Sequence, residues 1–588
     1  MQSPKQTVGP QHGNLGRPSA TVESRPTQEL AGPKSPRVFA RLTPHNAAAW
    51  TSFRTVVDAI KRDPTQLEHH RHFLYYDEPG IPLSSLLAPQ RSTSLQVSGD
   101  EVELTTSTSS DDQHTQPPPQ DEIVYNGHYL LSLDIPPFQP ELGWRIGTGR
   151  WSSGSLTGGV DLLLNRPPLL MGVRGRHASL VFHKNSGILT LEVFHTDASV
   201  MLDMCTIVRS DGARGLSRPV SFIQIGDLLY KFTYSNWSAE EELAFQKQKV
   251  AYFQGKLGVA APLESTSATP SLNAMVIGNW NLHRTVGGGA FGVVNAASRH
   301  GGKLQIVAFK EIVRRNAHSS NIVDSEVQAA SILKAAAEKH EYKEFILRLE
   351  DVIYERGSRI FDYSGPERVY LLYSPLARGT FGSHLISNPK VIPMSTRISL
   401  LADVVKGLIC LHDIGWIHRD IKPDNLAVVT MGPPRAVILD VGHACYSGLD
   451  PEKPLESNEG IEAKPGTVGT PLYLAPEMEW HNGRYGPAVD IYSLGLVAYQ
   501  LFVGPHPLHH CKKNPWLMTN TNHAEVKDEL NRWNNMLRDL NAKGSDHIEN
   551  LIANMLSWNK DSRCSARQAL KHPSLMQDLE PDSKRAKV

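Results

Sequence analysis

The chain has 588 residues, and 40% of them are hydrophobic, which is enough to bury several cores. Its 60 basic and 60 acidic side chains cancel, so no overall field attracts nucleic acid or an anionic membrane. The five scattered cysteines argue against a disulfide framework or paired zinc ligands, and no apolar run is long enough to span a bilayer. We expect an intracellular protein of the nucleus and/or cytoplasm, with no membrane partner and no direct nucleic-acid binding.

Linkers and short folded segments alternate in the N-terminal part of the chain. Residues 1–36 are rich in Pro, Gly, Ser and Gln, a composition typical of a disordered tail. Residues 37–90 carry apolar side chains at helical spacing and predict a short helical element and a loop. Residues 91–122 are again polar and Pro-rich, which indicates a linker. After the next domain, residues 237–276 combine a helix, opened by a capping box at Ser238, with another linker.

Residues 123–236 have the short strands and turn signals of an all-β sandwich. Gly149-Arg150, the run Arg174-Gly175-Arg176-His177-Ala178 and the closing Gly226-Asp227 together resemble a forkhead-associated domain, which is a phosphothreonine-reading β-sandwich. The resemblance implies that Arg150, Arg174 and Arg176 bind a phosphopeptide, because arginine grips phosphate bidentately. It also implies phosphothreonine-containing proteins as partners.

The sandwich segment departs from the forkhead-associated pattern at two points. Arg174-Gly175 stands where the family usually has Ser-Arg, and no Asn-Gly-Thr turn is recognisable after Phe194. The serine normally binds phosphate and the asparagine holds the peptide. A purely structural sandwich is therefore the alternative to a reader domain.

A glycine-rich turn follows a strand that begins at Trp280. Its glycines have the GxGxxG spacing, which dinucleotide-binding domains also use, but there a helix follows. Here β-branched Val293-Val294 favours a second strand. About twenty residues later, Val307-Ala308-Phe309-Lys310 predicts a third strand that ends in a lysine.

Two short motifs in the C-terminal half have a diagnostic spacing. The first runs from Trp416 to Leu426 and contains His-Arg-Asp, with Asn425 five residues after Asp420. The second is Asp440-Val441-Gly442, after an apolar strand-like segment. Either one alone fits a solvated turn, but together they resemble the catalytic loop and metal-binding turn of a protein kinase.

The kinase resemblance covers residues 277–575 and assigns a role to each matching residue. Asp420 would orient the substrate hydroxyl, Lys422 would stabilise the transferred phosphate, and Glu326 would pair with Lys310 to fix its aim. Asn425 and Asp440 would hold Mg²⁺. The implied ATP-binding residues are Val286, Gly287, Gly289, Gly292, Val294, Ala308, Lys310, Ser374 and Leu376.

The activation segment would follow Asp440 and end at Ala475-Pro476-Glu477. It contains Thr467 and Thr470. Kinases with an arginine before the catalytic aspartate, here Arg419, commonly need a phosphate in this segment. The resemblance therefore predicts phosphorylation on Ser447, Ser457 or Thr467, with Thr467 favoured. It further implies a buried ion pair between Glu477 and Arg563, and a bracing role for Asp490 beneath the catalytic loop.

Two further features have modest interpretations. His509-His510-Cys511 contains metal-ligating types, but no fourth ligand is near in the sequence, so a metal site is the less favoured interpretation. Residues 576–588 form a basic tail, which fits an import signal or a solvated end equally well.

The sequence therefore predicts a multidomain protein: an α+β two-lobed protein kinase fold preceded by an all-β, forkhead-associated-like sandwich, with a disordered tail and linkers. Lys422 and Thr470 match the serine/threonine pattern, so ATP and Mg²⁺ would serve phosphorylation of protein substrates. The domain order resembles checkpoint kinases and related fungal-type kinases. A catalytically weak scaffold that binds phosphoproteins and a small-molecule kinase are the alternatives.

Overall fold

The structure is a computed structural model that describes several separate ranges of the chain. The predictions for the tail at 1–36, for most of the linker at 91–122, for residues 259–274 and for 577–588 lie outside these ranges. The described residues are 37–91, 121–150, 158–166, 171–184, 186–195, 199–207, 209, 212–258, 275–289, 292–299, 303–387, 389–453, 459–464, 468–479, 483–511, 516 and 523–576.

The N-terminal region is rich in β-structure, and its helices flank the strands. The helices are α1 (Ala47–Arg62), α2 (Glu68–Arg71), α3 (Leu83–Arg91) and α4 (Ala239–Gly255). The strands are β1 (Val38–Pro44), β2 (Leu74–Tyr76), β3 (Ile81–Pro82), β4 (Ile123–Val124), β5 (Gly127–Ser132), β6 (Trp144–Gly147), β7 (Leu162–Leu163), β8 (Ala178–Phe182), β9 (Leu189–Val193), β10 (Val200–Leu202), β11 (Cys205–Ile207), β12 (Arg214–Gly215), β13 (Val220–Ile225) and β14 (Leu228–Tyr234).

Two sheets share one hydrophobic core in this region. Among the described residues, one sheet has the order β11-β10-β13-β14-β1-β5-β2 and the other β12-β9-β8-β6-β7. Phe39 of the first sheet lies with its ring centroid 5.5 Å from that of Trp144 and 5.6 Å from that of Phe182, both in the second sheet. Large aromatic side chains bury much apolar area, so these contacts hold the sheets face to face.

The first strand corrects the predicted domain boundary. The sequence placed the sandwich at 123–236 and a helical element at 37–90, yet β1 lies inside the larger sheet. It pairs with β14 through Ala40 and Tyr234, and with β5 through Leu42 and Tyr129. The helix at this end of the chain is α1, which follows β1. The boundary was wrong because the partners of β1 are distant in sequence.

Helix α4 covers one end of the sandwich core. Its capping box is present, with the Ser238 hydroxyl accepting from the Glu241 amide and the Glu241 side chain reaching back. The ring of Phe245 lies 5.3 Å from Phe39 and 4.4 Å from Trp237. The helix therefore belongs to the sandwich rather than to the linker that follows it.

The C-terminal region has two lobes, a small one built on a sheet and a large one that is mainly helical. Its strands are β15 (Val276–Ile277), β16 (Trp280–Gly289), β17 (Gly292–Arg299), β18 (Ile306–Arg314), β19 (Arg348–Tyr354), β20 (Glu367–Ser374), β21 (Gly379–Thr380), β22 (Trp416–Ile417), β23 (Leu426–Met431), β24 (Pro434–Ile438), β25 (Cys445–Tyr446), β26 (Ile461–Glu462) and β27 (Arg484–Tyr485). Its helices are α5 (Ala317–Ala337), α6 (Met394–Asp413), α7 (Ala488–Phe502), α8 (His523–Asn541), α9 (Ile548–Met555), α10 (Ala566–Leu570) and α11 (Pro573–Met576).

The small lobe is one antiparallel sheet with a single long helix against it. The described strands are ordered β15-β16-β17-β18-β20-β19, and α5 packs on β18 and β19. The large lobe is mainly helical, and most residues of α6 and α7 are buried. None of the described helices combines the length and the apolar character needed to cross a bilayer.

The sandwich contacts the small lobe directly. Arg214 of β12 forms a β-bridge with Lys303, which lies between β17 and β18, and the Leu304 amide donates to the Ala213 carbonyl at 3.1 Å. A Cβ on Gly215 would lie 2.9 Å from the Leu304 side chain, so glycine permits this close approach. One edge of the sandwich thus contacts the small lobe.

Candidate active site

A buried ion pair joins the small-lobe sheet to helix α5. Lys310 lies on β18, and its Nζ is 2.6 Å from Oε1 of Glu326, which is 8% exposed. The helix begins at Ala317, where the Asn316 side chain caps it. Glu326 therefore lies near the middle of the helix. Lys310 therefore extends from the sheet with its charge compensated and its orientation fixed.

The glycine-rich turn connects β16 and β17, with Gly289 paired to Gly292. Gly292 has a φ of 129°, and a Cβ there would lie 2.0 Å from the Glu311 carbonyl oxygen, so only glycine fits. Gly287 has open space where its Cβ would be, and neighbouring Val286 is 38% exposed. The backbone of this turn is thus open to a ligand, as a phosphate-binding turn requires.

Small and apolar residues lie at the inner end of the small-lobe sheet. Leu376 is 6% exposed and forms a cluster with Ala296, against which Ala308 packs. Ser374, the last residue of β20, precedes this cluster. The sequence interpretation named Val294 but missed Ala296, although alternation along β17 puts both on one face. The cluster supplies apolar side chains, the type that lines ligand pockets for flat rings such as adenine.

Three side chains converge on Asp420, which is 6% exposed. The Lys422 Nζ donates to Oδ2 at 2.8 Å, and the Thr470 hydroxyl donates to Oδ1 at 2.7 Å. The Asn425 amide nitrogen donates to Oδ2 and to the Asp420 carbonyl, each at 2.8 Å. Lys422 also donates to Thr470 at 2.8 Å. The Asp420 carboxylate is therefore held in one orientation, and Thr470 belongs to this network.

Asp490 of α7 holds the catalytic loop from beneath. Its two oxygens accept from the amides of His418 and Arg419, each at 2.8 Å. His412 Nε2 lies 2.9 Å from Oδ2. Burial alone would raise the pKa of Asp490, but the hydrogen bond and charge of His412 and the nearby His418 keep it below its ordinary value. The sequence interpretation missed His412, since no motif marks it near the end of α6.

Asp440 and Asn425 supply the donor types of a magnesium site. Burial opposes ionisation of Asp440, but the charge of Lys310 and the Gly442 amide bring the pKa of its carboxyl below the ordinary value. The amide nitrogen of Asn425 is engaged in the catalytic loop, which leaves its Oδ1 as the atom for a cation. Carboxylate and amide oxygens are ligands that Mg²⁺ accepts. The residues present therefore fit the metal.

A second buried ion pair closes the activation segment. Arg563 donates through both terminal nitrogens to Glu477, at 2.5 and 3.0 Å. The side chains of the pair are 0% and 4% exposed. Bidentate geometry of this kind fixes direction as well as charge. It anchors the end of the segment to the large lobe.

Arg419, whose predicted partner is a phosphate on the activation segment, makes polar contacts within the large lobe. Its Nε donates to the His443 carbonyl at 2.7 Å, and Nη1 donates to the Tyr485 hydroxyl at 3.3 Å. The Ser447 hydroxyl donates to a carbonyl at 3.0 Å. Ser457 and Thr467, the other two predicted phosphorylation sites, lie outside the described residues.

Comparisons with known proteins decide the family. The protein kinase domain matches residues 280–575, about half of the chain. The chain belongs to the protein kinase family. The catalytic domain is that of a protein serine/threonine kinase, and the family uses ATP and Mg²⁺.

Similar proteins include three named kinases. A probable myosin light chain kinase of Dictyostelium discoideum is 24% identical over 52% of this kinase and 85% of its own length. The liver/testis phosphorylase b kinase gamma catalytic chain of Bos taurus is 26% identical over 36% of this kinase and 48% of its own length. CBL-interacting serine/threonine-protein kinase 8 of Arabidopsis thaliana is 28% identical over 39% of this kinase and 45% of its own length. This kinase thus spans less than half the length of the last two proteins.

The predicted phosphate-binding arginines of the kinase's sandwich come from two adjoining loops. The Gly149 amide donates to the Gly175 carbonyl at 2.9 Å, and Arg150, Arg174 and Arg176 are all exposed. The Arg150 side chain runs close to Gly175, where a Cβ would lie 2.8 Å from its Cγ. The loops are therefore neighbours, and the three cationic residues are exposed.

The histidine and cysteine cluster of the kinase's large lobe gains a third group in the fold. His510, Cys511 and Glu529 have ligand atoms within 4.8 Å of one another. However, Glu529 already accepts from Arg532 at 3.0 Å and lies 3.0 Å from His510 Nε2. A cation there would displace an arginine from its ion pair. A metal site at this cluster therefore stays the less favoured interpretation.

Proposed function

We propose that the protein transfers the γ-phosphate of ATP to serine or threonine residues of protein substrates, and that its N-terminal sandwich targets or dimerises it by binding phosphothreonine. A role in checkpoint or stress signalling belongs to this proposal. The observation that carries the catalytic part is the convergence of Lys422, Asn425 and Thr470 on Asp420.

The catalytic chemistry follows from what these side chains can do. Asp420 accepts or orients the proton of the attacking hydroxyl, because its carboxylate is fixed at the base of the cleft. Lys422, bonded to the same carboxylate, stabilises negative charge on the transferred group. Lys310, aimed by Glu326, would contact the α- and β-phosphates. When bound at Asn425 and Asp440, Mg²⁺ neutralises charge that develops on the phosphate oxygens.

The reader part of the proposal is supported by the exposed arginines. Arg150, Arg174 and Arg176 lie on loops joined by backbone hydrogen bonds, and several guanidinium groups can share one phosphate. Arg174 takes the place of a neutral serine, so charge would dominate over hydrogen-bond geometry. We expect weak binding with little choice of flanking sequence.

Titration of the full chain with a phosphothreonine peptide library tests the reader. We expect binding that requires the phosphate and weakens on Arg150→Ala substitution. Arg41→Ala is the matched control, because Arg41 is an exposed arginine elsewhere on the same sandwich. Binding that ignores the phosphate, or equal behaviour of the two variants, would leave only a structural sandwich.

Phosphotransfer to generic protein substrates tests the catalytic part independently. We expect the intact chain to phosphorylate serine and threonine and not tyrosine. A chain without measurable transfer that still binds phosphothreonine peptides would instead support the scaffold alternative.

A further inference from the structure

One polar contact at the active site involves a residue outside the assigned catalytic set. The hydroxyl of Tyr373 donates to Oε1 of Glu326 at 2.9 Å. The same oxygen lies 2.6 Å from the Lys310 Nζ. Tyr373 is on β20, where it faces Ala308 and Leu349 in register. A single carboxylate oxygen therefore accepts from the sheet twice, through a lysine and through a tyrosine.

The contact is buried, which makes it strong and directional. Tyr373 is 5% exposed and Glu326 is 8% exposed. In such buried surroundings, hydrogen bonds to charged groups are stronger than those between neutral groups. Burial and the Glu326 charge raise the pKa of Tyr373 well above its ordinary value, so the hydroxyl keeps its proton. It can act only as a donor to the carboxylate at physiological pH. Two fixed donors hold Glu326 more tightly than Lys310 alone.

Helix α5 also adjoins the metal-binding turn. Val441, in the metal-binding turn, lies beside a small gap of about 10 Å³ lined by Ala330 and Leu333 of α5. Valine is smaller than the phenylalanine that kinases usually carry in this turn. Less apolar packing beneath the helix favours its outward movement, because lost dispersion contacts are not replaced. A polar contact from the sheet would oppose that movement.

We propose that Tyr373 is a positioning residue for phosphotransfer. Its hydroxyl holds Glu326, and through Glu326 the Lys310 ammonium, in the productive orientation, and it compensates for the small side chain of Val441. Tyr373 touches neither of the transferring atoms, so its effect passes through Glu326. The inference rests on the phosphotransfer activity proposed for this site and adds a residue that sets how often the site is assembled.

Removal of the hydroxyl alone is the test. We expect Tyr373→Phe to lower kcat about fivefold with KM for ATP within about twofold, because fewer molecules have an assembled site while nucleotide contacts are unchanged. Tyr370→Phe is the matched control: Tyr370 is on the same strand but packs on the opposite face, against Phe309. It should leave kcat at the parent value.

A double-substitution cycle separates positioning from packing. In a Glu326→Ala background, Tyr373→Phe should add little further loss, since the hydroxyl would have no acceptor to hold at that position. An equal loss in both backgrounds, or a kcat for Tyr373→Phe like that of Tyr370→Phe, would overturn the proposal. A rise in KM with a lowered unfolding midpoint would also overturn it in favour of a packing role. If the parent chain itself lacked transfer, the proposed function would fail first.

Discussion

The interlobe cleft and the arginine loops of the sandwich both contain charged groups, but these groups differ in burial and in hydrogen bonding. In the cleft, Asp420, Glu326 and Asp490 each accept two or more hydrogen bonds and are nearly buried. In the sandwich, Arg150 and Arg176 are exposed on loops. A catalytic centre must be organised before substrate arrives, because reorganisation during reaction is costly. Exposed arginines instead rely on the ligand to order them.

The largest effect should come from removing charge in the cleft. We expect Asp440→Ala or Lys310→Met to reduce phosphotransfer below about 1% of the parent, because each deletes compensation of transition-state charge. Circular dichroism should show an unchanged fold. Asp351→Ala, an exposed carboxylate of the small lobe, is the control. Activity in either variant above a few per cent of the parent would contradict the assigned mechanism.

A buried ion pair should matter more to stability than an exposed one. Arg563→Ala leaves Glu477 buried without its partner, which we expect to cost about 3–5 kcal/mol in the free energy of unfolding. Lys343→Ala, which breaks an exposed pair with Glu338, should cost much less, because solvent screens the attraction between exposed charges. Urea denaturation of the two variants compares them directly. Similar midpoints would mean that burial does not separate the two pairs.

Phosphorylation of the activation segment should have an intermediate effect. Alanine at Ser447, Ser457 and Thr467 together should lower kcat/KM about tenfold, because Arg419 would lack a phosphate to bind. Thr467→Ala alone should account for most of the loss. Mass spectrometry of the active parent should locate the phosphate. Parent-level activity in the triple variant would show that this site needs no phosphate.

The smallest effect should be the salt response of the sandwich. Raising ionic strength from about 0.05 to 0.15 M should weaken phosphothreonine peptide binding roughly threefold, because exposed charges are screened over about a Debye length. The KM for ATP should change less, since the charges of the cleft are mostly buried. Titrations at the two salt concentrations measure both quantities. Equal salt dependence of peptide binding and of the KM for ATP would mean that exposure of the charges does not distinguish the two regions.

Much of the catalytic centre was accessible from sequence because its groups lie in short motifs. Asp420, Lys422 and Asn425 lie within a span of six consecutive positions, so local backbone geometry brings them close together. His412 and Tyr373 were not assigned their contacts in advance. Each reaches its partner across the tertiary fold, and a lone histidine or tyrosine in an apolar segment carries no local sign of it.

The sandwich shows the opposite balance. Its hairpins, β8–β9 and β13–β14, pair in register as neighbours in sequence, so the turn signals of this segment are local features of the sequence. The place of β1 could not be predicted in this way. Its apolar residues run on into α1, and their helical spacing concealed a short strand whose partners are far away.

The position of β1 also sets the order in which this protein can fold. The Ser235 hydroxyl donates to the Val38 carbonyl, 197 residues away in the chain. During synthesis β1 therefore emerges first and waits about 10–40 s for β14, at ordinary translation rates. Throughout that interval Phe39 and Leu42, both fully buried in the finished domain, lack the strand that completes their sheet. The larger sheet of the sandwich can therefore be completed only after its last strand has been synthesised.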